Sequence, residues 1–262
     1  MDTTLKNKGA VVTGAASGIG KAIATAFIEA GARVLLCDLN VKALDAVAGE
    51  LGERARGRVT DVSDETQVEG AMREAHEAFG SLDVVVNCAG FGAISPLTEL
   101  SCEKWKSVQS VTLNGVFYGV KHAALEMMEQ GHPGVIINIS SVNARQPGEG
   151  QVAYCAAKAG VDMITRCGAL ELGACGIRVV GIAPGLVETP LTKYQLDNPA
   201  IRQLFMSVIP MNRPVDTREI AAVAVFLASD NARSVNGETI AIDGGSLTVG
   251  YPRLLTGLKK AS

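Results

Sequence analysis

The chain has 262 residues, of which 47% are hydrophobic and 19% are charged, and its formal net charge is −3. This balance is typical of a soluble globular protein and leaves no basic block for nucleic acid. No apolar run approaches the roughly 20 residues of a membrane helix, and the first residues lack the apolar region of a signal peptide. The six cysteines show no CxxC or CxxH spacing, so we expect reduced thiols, no metal site and a cytoplasmic location.

Short apolar runs alternate with longer helical patterns along the chain. The first helical pattern places Ile19, Ile23 and Phe27 on one face and stops at Gly31. Charge-poor runs predict buried strands at 9–12, 33–37, 83–87, 134–140 and 177–183, and weaker runs predict strands at 58–60 and 238–242. This alternation predicts a doubly wound, Rossmann-like α/β fold of about seven parallel strands with helices on both faces, as a single domain over residues 1–262.

Glycines and polar residues follow most of these predicted strands. They are Thr13-Gly14, Asp38, Asp61, Asn87 to Gly90, Ser140-Ser141 and Pro184-Gly185. Because doubly wound folds bind ligands outside the carboxyl ends of their strands, this pattern predicts a ligand site along that edge of the sheet.

The loop after the first strand, in VVTGAASGIG (Val11 to Gly20), has the spacing G-x-x-x-G-x-G. A helix that opens near Ser17 and Gly18 would present free N–H groups and its positive end to an anion. Glycines in front of it let a phosphate approach the backbone. The loop contains no lysine, so the P-loop pattern of ATP-binding proteins fails.

Asp38 ends the second predicted strand, 18 residues after Gly20. A carboxylate there can accept hydrogen bonds from an adenosine ribose, and it would repel a 2′-phosphate by roughly 1–4 kcal/mol. Neither the loop nor Leu39 supplies an arginine to neutralise that phosphate, so the sequence favours NAD over NADP. A helix cap is the alternative role for Asp38.

Tyr154 and Lys158 are one helical turn apart and share a helix face. A neighbouring ammonium favours the phenolate, and lowering a tyrosine pKa from about 10 to about 7 takes roughly 4 kcal/mol. A tyrosine tuned in this way can protonate a carbonyl oxygen as hydride arrives, or deprotonate an alcohol as hydride leaves.

With TGAASGIG, NCAG, YCAAK and PG in this order, the chain resembles the short-chain dehydrogenase/reductase family from Gly9 to Gly245. In that family the T-G-x-x-x-G-x-G loop is the dinucleotide cradle. The resemblance implies cofactor contacts at Gly14, Ser17, Gly18, Ile19, Gly20, Asp38, Leu39, Asp61, Val62, Asn87, Ala89, Gly90, Tyr154, Lys158, Pro184, Gly185, Val187 and Thr189. Within this set, Asp61 and Val62 would flank the adenine, and Pro184 to Thr189 would hold the carboxamide. Cys88 stands where a second asparagine is common, and we expect little effect on binding.

The resemblance also implies a catalytic set of Asn114, Ser141, Tyr154 and Lys158. Ser141 precedes Tyr154 by the usual thirteen residues and would hold the substrate oxygen. Ser140 is the other candidate for this role, but the alternation of side chains along a strand would point Ser140 to the opposite face of the sheet. Asn114 matches the family asparagine that holds a water linked to the lysine. Without the family resemblance, Asn114 would be interpreted as an ordinary polar residue in the interior of a helix.

The segment near 186–215 is rich in apolar residues and in the family covers the substrate; packing against the core is the alternative. Asn143 and Arg145 could meet a polar substrate group or lie in a surface loop. The helix VAYCAAKAGVDMITRCGALEL is apolar around most of its circumference, which favours a homo-oligomer (dimer or tetramer) over a helix buried in a monomer. The tail from Ser246 would pack on a neighbouring subunit or fray.

These observations predict an NAD-dependent oxidoreductase that interconverts a small-molecule secondary alcohol and its ketone, on a substrate with an apolar body. The second candidate is a 3-oxoacyl-thioester (acyl-carrier-protein) reductase, because the segments IPMNRPVDTREIA and VNGETIAIDGG resemble those of this subgroup of the family. Those enzymes usually take NADPH, and Asp38 counts against that. A non-catalytic dinucleotide sensor is the alternative from another class, and the complete Ser141, Tyr154 and Lys158 set counts against it.

Overall fold

The computed structural model describes residues 3–250 and residue 252. In this part of the chain, seven strands form one parallel sheet in the order β3-β2-β1-β4-β5-β6-β7. The strands are β1 Gly9–Thr13, β2 Arg33–Asp38, β3 Ala55–Val59, β4 Val84–Asn87, β5 Gly134–Ile139, β6 Ile177–Pro184 and β7 Thr239–Ile242. The helices are α1 Gly18–Glu29, α2 Val41–Leu51, α3 Glu65–Phe79, α4 Cys102–Gln109, α5 Gly115–Glu129, α6 Val152–Leu172, α7 Lys193–Asp197, α8 Pro199–Met206 and α9 Thr217–Ala228. The predicted doubly wound α/β fold is confirmed.

Two apolar layers hold the helices on opposite faces of this sheet. Strand alternation sends Val12 into a layer with Ile23 and Phe27 of α1 and sends Val11 into the other. α1 and α9 cover the first face, and α3, α5 and α6 cover the second. Because both faces are buried, the inner strands read as continuous apolar runs. The strand order reverses between β1 and β4, which is the switch point where such sheets bind ligands.

The third strand differs from its predicted position. It spans Ala55–Val59 rather than 58–60, and it pairs in register with Val34–Asp38 of β2. β3 is an edge strand whose residues are only partly buried or exposed, so its sequence lacks the apolar run that marks the inner strands. Thr60 follows the strand and donates its N–H to the carbonyl of Asp38.

The segment near 186–215 contains the short helices α7 and α8 and its own apolar cluster. That cluster is built from Leu186, Leu196, Ile201, Phe205 and Ile209. A parallel bridge between Val187 and Val215 closes the base of the segment. The segment therefore folds on itself beside the carboxyl ends of the strands.

Among residues 3–250 and 252, no helix is both long and apolar enough to cross a membrane. Of the C-terminal tail from Ser246, the structure describes the residues up to Gly250 and Pro252. The other tail residues, for which packing on a neighbouring subunit or fraying is predicted, lie outside the described part of the chain.

Candidate active site

The turn from β1 into α1 is built on two close backbone approaches. Gly14 has φ +67°, and a Cβ there would lie 3.0 Å from the Cα of Ala89. A Cβ on Gly20 would overlap with the carbonyl oxygen of Gly14. Thr13 fixes the same junction, since its hydroxyl oxygen accepts the N–H groups of Cys88 (3.0 Å) and Ala89 (3.1 Å). Thr13, which the sequence analysis placed among the strand-end residues without a specific contact, therefore shapes the site by fixing this junction.

The amino terminus of α1 is open to a ligand. Ser17 is the N-cap residue, its side chain makes no capping hydrogen bond, and the first turn holds no acidic side chain. The free N–H groups and the positive end of the helix dipole therefore point at the cavity in front of the loop. This arrangement fits a phosphate group.

A cavity of about 430 Å³ lies in front of this loop. The predicted cofactor residues that line it are Gly14, Ser17, Gly18, Ile19, Gly20, Asp38, Leu39, Asp61, Val62, Ala89, Gly90 and Thr189. Lining residues that the sequence reasoning did not name as contacts are Thr60, Phe91, Val111, Pro190 and Leu191, and Cys88 lines it as well. The cavity runs from Asp38 to Gly90 across the switch point of the sheet, so its shape and donors fit a dinucleotide.

The Asp38 carboxylate binds backbone N–H groups of the neighbouring loops and also lines the cavity. One carboxylate oxygen accepts the N–H of Ala16 (3.1 Å) and the other accepts the N–H of Asn40 (3.0 Å). A carboxylate has about four lone-pair positions, so acceptor capacity remains on the side that faces the cavity. The helix-cap alternative is not what the structure shows, because the N-cap of α2 is Asn40.

Four predicted cofactor residues, Lys158 among them, lie outside the described lining of this cavity and of the second cavity described below. The Asn87 side chain donates to the amide oxygen of Asn138 (2.9 Å) and packs against Gly119. Pro184 is the buried last residue of β6, and the buried Val187 bridges to Val215. The side chain of Asn87 therefore supports the sheet beneath the cradle instead of facing the cavity.

A second cavity, of about 190 Å³, holds Ser141, Tyr154 and Gly185 in its wall. Tyr154 lies in the first turn of α6, and Lys158 follows one turn later, almost fully buried. The Lys158 ammonium donates to the carbonyl of Ile139 (2.7 Å) and lies 5.7 Å from the centre of the Tyr154 ring. A Cβ on Gly90 would be 3.6 Å from the Lys158 nitrogen. Lys158 thus stands between the two cavities.

Burial controls the ionisation of the groups around Lys158. Loss of solvent lowers the pKa of Lys158 to about 8, opposed by the electrostatic influence of Cys88 and Asp162. Burial also raises the pKa of the Cys88 thiol to about 12, although the Lys158 charge acts in the other direction. At neutral pH the pair is therefore an ammonium beside an uncharged thiol, and Cys88 contributes no negative charge to the cofactor cavity.

Ser141 and Ser140 both follow β5, which ends at Ile139, one residue earlier than predicted. The Ser141 hydroxyl donates to the amide oxygen of Asn143 (3.3 Å) and accepts the N–H of Asn143 (3.1 Å). The Ser140 hydroxyl donates to the Lys158 carbonyl (3.4 Å), away from the cavity. Of the two serines, Ser141 is the one in the cavity wall.

The side chains of Asn143 and Arg145 point in different directions in the structure. Asn143 is buried and lines the second cavity. The Arg145 side chain turns to the other side, where it donates to the Thr239 carbonyl (2.6 Å) and lies 3.5 Å from Asp162. Asn143 is placed to meet a substrate, whereas Arg145 ties the loop after β5 to β7 and α6.

Asn114, predicted to hold a water linked to Lys158, is not in the buried part of the site. It is exposed, at the end of a π-helical turn, Ser110–Asn114, that joins α4 to α5. Thr112, two residues earlier, takes the inward position: its hydroxyl accepts the N–H of Phe91 (3.2 Å) and donates to the carbonyl of Phe91 (3.0 Å). A Cβ on Gly90 would be 3.4 Å from that oxygen. The π-turn adds a residue to the helical repeat, and regular helical spacing alone could not reveal this shift.

Together, the parallel sheet, the glycine cradle and the adjoining Tyr-Lys pair define a dinucleotide-binding oxidoreductase fold. Residues 14–246 match the model of a family described as enoyl-(acyl carrier protein) reductase. The chain is 41% identical to a D-threitol dehydrogenase from Mycolicibacterium smegmatis over 93% of this chain and 94% of that protein. The chain belongs to the short-chain dehydrogenase/reductase family.

Solved structures agree with this assignment. A short-chain type dehydrogenase/reductase from Mycobacterium ulcerans superposes with a TM-score of 0.94 at 32% identity, over 98% of this chain and 96% of that one. A 3-ketoacyl-(acyl-carrier-protein) reductase from Brucella melitensis complexed with NADH superposes with a TM-score of 0.87 at 32% identity, over 93% and 100% of the two chains. Another similar structure holds NADP, so the comparisons fit either dinucleotide.

Proposed function

We propose that the protein is an NAD(H)-dependent oxidoreductase that interconverts a secondary alcohol and a ketone. The observation that carries the proposal is the closeness of the two cavities: Leu191 lines both, Ser141 and Tyr154 line the smaller one, and the buried Lys158 lies near both Tyr154 and Gly90 of the glycine cradle. A dinucleotide in the cradle and a small substrate in the second cavity would meet at this point. The segment near 186–215 would cover the substrate, since its Leu186, Leu191 and Phe205 line the second cavity.

In this proposal Tyr154 is the acid/base. Oxidation begins with transfer of the alcohol proton to the Tyr154 phenolate, which the Lys158 ammonium stabilises, and reduction runs the same transfer in reverse. Ser141 holds the substrate oxygen beside Tyr154. When bound, the nicotinamide supplies the hydride acceptor for oxidation and the hydride donor for reduction. The apolar residues of the covering segment exclude water from the reacting atoms.

The Tyr154→Phe variant tests this chemistry. It keeps the ring and removes the transferable proton, so we expect turnover to fall at least about 1000-fold while NADH affinity changes little. Turnover is followed by NADH absorbance with secondary alcohols and ketones, and binding by NADH fluorescence. Near-normal activity in the variant contradicts the acid/base role. NADH binding without turnover of any substrate by the wild type supports a non-catalytic dinucleotide sensor instead.

The preference for NAD over NADP rests on Asp38. Its carboxylate faces the cavity beside Leu39, and a 2′-phosphate there would meet like charge. We expect NADH to bind at least about tenfold tighter than NADPH, and Asp38→Asn to narrow that ratio. The asparagine keeps an oxygen for the Ala16 N–H and removes the charge. Parallel fluorescence titrations of both dinucleotides into both proteins measure the ratio, and tighter NADPH binding by the wild type contradicts the preference.

A 3-oxoacyl-thioester (acyl-carrier-protein) reductase is the second candidate function. The similar structure from Brucella melitensis, a 3-ketoacyl-(acyl-carrier-protein) reductase, favours it. The description of the matching family model names a different reduction, but also of an acyl-carrier-protein substrate. It uses the same Ser141, Tyr154 and Lys158 chemistry in the reductive direction. A kcat/KM for a 3-oxoacyl thioester that exceeds those for small ketones would favour this candidate.

We also propose a homo-oligomer, built from one domain per chain and located in the cytoplasm. The outer faces of α5 and α6 expose Phe117, Leu125, Met163 and Leu170, and a neighbouring subunit would cover such apolar side chains. The cysteines are free thiols, which fits a reducing compartment.

A further inference from the structure

The cavity that holds Ser141 and Tyr154 is small, and its wall combines apolar side chains with neutral polar groups. Its volume is about 190 Å³, below the roughly 300–1,000 Å³ of pockets that take drug-sized ligands. It has room for about six water molecules at their liquid volume, and for somewhat more covalently bonded atoms. The part of a substrate held in this space would comprise about four carbons with their oxygens.

Among the described residues that line this cavity, none is a lysine, arginine, aspartate, glutamate or histidine. A carboxylate or phosphate on the substrate would therefore be buried there without a counter-charge, which is strongly unfavourable. The polar wall consists instead of hydroxyls and primary amides, with Asn143, Gln151 and Gln195 as the amides. This lining selects for an uncharged substrate.

Asn143 is the amide that contacts Ser141. It is 6% exposed, and its oxygen lies 3.3 Å from the Ser141 hydroxyl oxygen. Its NH₂ group contacts the Cys155 sulfur at 3.7 Å, and sulfur is a weak acceptor. A buried amide hydrogen with so weak a partner gains a strong hydrogen bond when a substrate oxygen arrives.

The spacing of Ser141 and Asn143 specifies where that oxygen would be. Two oxygens on adjacent carbons lie about as far apart as two hydrogen-bonded hydroxyls. An alcohol oxygen held by Ser141 and Tyr154 would therefore bring the oxygen of the neighbouring carbon within reach of Asn143. Gln195, which enters the cavity from α7, faces the remainder of the substrate.

We infer that the substrate is a small uncharged vicinal diol or polyol, with the matching 2-hydroxyketone as product, and that Asn143 recognises the hydroxyl next to the reacting carbon. This inference rests on the proposed alcohol–ketone function and names its substrate class. It adds hydroxyl groups to the substrate with an apolar body that the sequence predicts.

The test compares 2,3-butanediol with 2-butanol, which differ by one hydroxyl, in wild type, Asn143→Ala and Gln203→Leu. We expect wild-type kcat/KM for the diol to exceed that for the monoalcohol at least about 100-fold, because a site built to bond a hydroxyl rejects the analogue that lacks it. Asn143→Ala should lower this ratio tenfold or more. Gln203 is exposed on α8 of the same segment and outside the cavity lining, so its variant should keep the wild-type ratio.

The ratio separates recognition from support of Ser141. If Asn143 only positions Ser141, its variant lowers both kcat/KM values equally and leaves the ratio unchanged, which overturns the assignment of Asn143. A wild-type ratio near one, or a higher kcat/KM for a 3-oxoacyl thioester, overturns the substrate class but leaves alcohol–ketone chemistry intact. Turnover that survives in Tyr154→Phe contradicts the proposed function itself.

Discussion

Lys158 shows how a single residue can be favourable for chemistry and unfavourable for stability. Its side chain is 3% exposed, and the carbonyl of Ile139 is its hydrogen-bond acceptor. Burial lowers its pKa from 10.5 to about 8, so the folded chain holds this proton less tightly than the unfolded chain does. The same ammonium lies 5.7 Å from the centre of the Tyr154 ring, where the proposed mechanism needs its charge. The site keeps a charged group that its own surroundings disfavour.

This conflict predicts a pH-dependent difference in stability between the wild type and Lys158→Met. Between pH 8 and 10.5 the unfolded wild type binds the extra proton, so the free energy of unfolding rises with pH across that window. The total rise from this residue is about 3 kcal/mol. Methionine has no proton to release, so the variant lacks this rise, while titrating groups away from residue 158 act equally in both proteins.

Urea unfolding at intervals from pH 7 to pH 10.5 measures this difference. We expect the stability of the variant relative to the wild type to be greatest below pH 8 and to decline toward pH 10.5, with turnover lost throughout. A difference that stays constant with pH would show that burial does not shift the Lys158 pKa.

Individual side chains divide into those that sequence reasoning can place and those that it cannot. Tyr154 and Lys158 share a regular helix, so their spacing alone predicts that they lie on one face. Asn114 and Thr112 lie in a π-turn, and the extra residue in the repeat makes Thr112 the inward one. Asn87 has the polar character of a ligand contact, yet its partner is Asn138 on the neighbouring strand. Such pairing depends on sheet register, which local sequence does not report.

At the scale of elements, the β1–α1 turn is the part of the site that the sequence predicts best, because its function is carried out by the backbone. Glycine at positions 14, 18 and 20 leaves three places in the turn without a Cβ, so that the backbone can pack closely and approach a phosphate. The edge strand β3 is predicted less well, since its Arg56, Gly57 and Arg58 interrupt any apolar pattern. Strong backbone requirements leave a clear signature in sequence, whereas an edge position leaves a weak one.

The Gly20→Ala variant tests whether this turn is as tight as the structure shows. A Cβ at residue 20 would overlap with the Gly14 carbonyl, so the turn must open, at a cost of about 1–3 kcal/mol. We expect NADH affinity to fall at least about tenfold, measured by fluorescence titration, and the melting temperature to drop.

Gly49→Ala is the matched control for that substitution. Gly49 lies in α2, and a Cβ there meets no atom within 4 Å. Alanine in a helix interior is favoured over glycine by roughly 0.5–1 kcal/mol, so this variant should melt at a higher temperature and bind NADH normally. Normal NADH affinity in Gly20→Ala would show that the turn accommodates a side chain.

At the scale of the whole molecule, the two sides of α6 serve different purposes. Its inner side carries Lys158, Val161 and Thr165 into the core, whereas its outer side presents Met163 and Leu170. Phe117 and Leu125 of α5 add to this exposed apolar surface. A helix that is apolar all round is stable only when both sides are covered. A second copy of the chain related by a two-fold axis would cover the outer side with an identical surface.

The Met163→Asp variant tests this assembly, because a carboxylate opposite its own copy would place two like charges in an apolar interface. Light scattering after size-exclusion chromatography should give a multiple of 27.2 kDa for the wild type and a smaller species for the variant. Val41→Asp is the control, since Val41 is 51% exposed on α2, away from α5 and α6, and it should leave the mass unchanged.

A wild type of monomer mass would contradict the proposed oligomer. An unchanged mass in Met163→Asp would place the interface on another surface. Because Tyr154 and Lys158 lie on the same helix, separation of the subunits should also loosen the catalytic end of α6 and lower turnover.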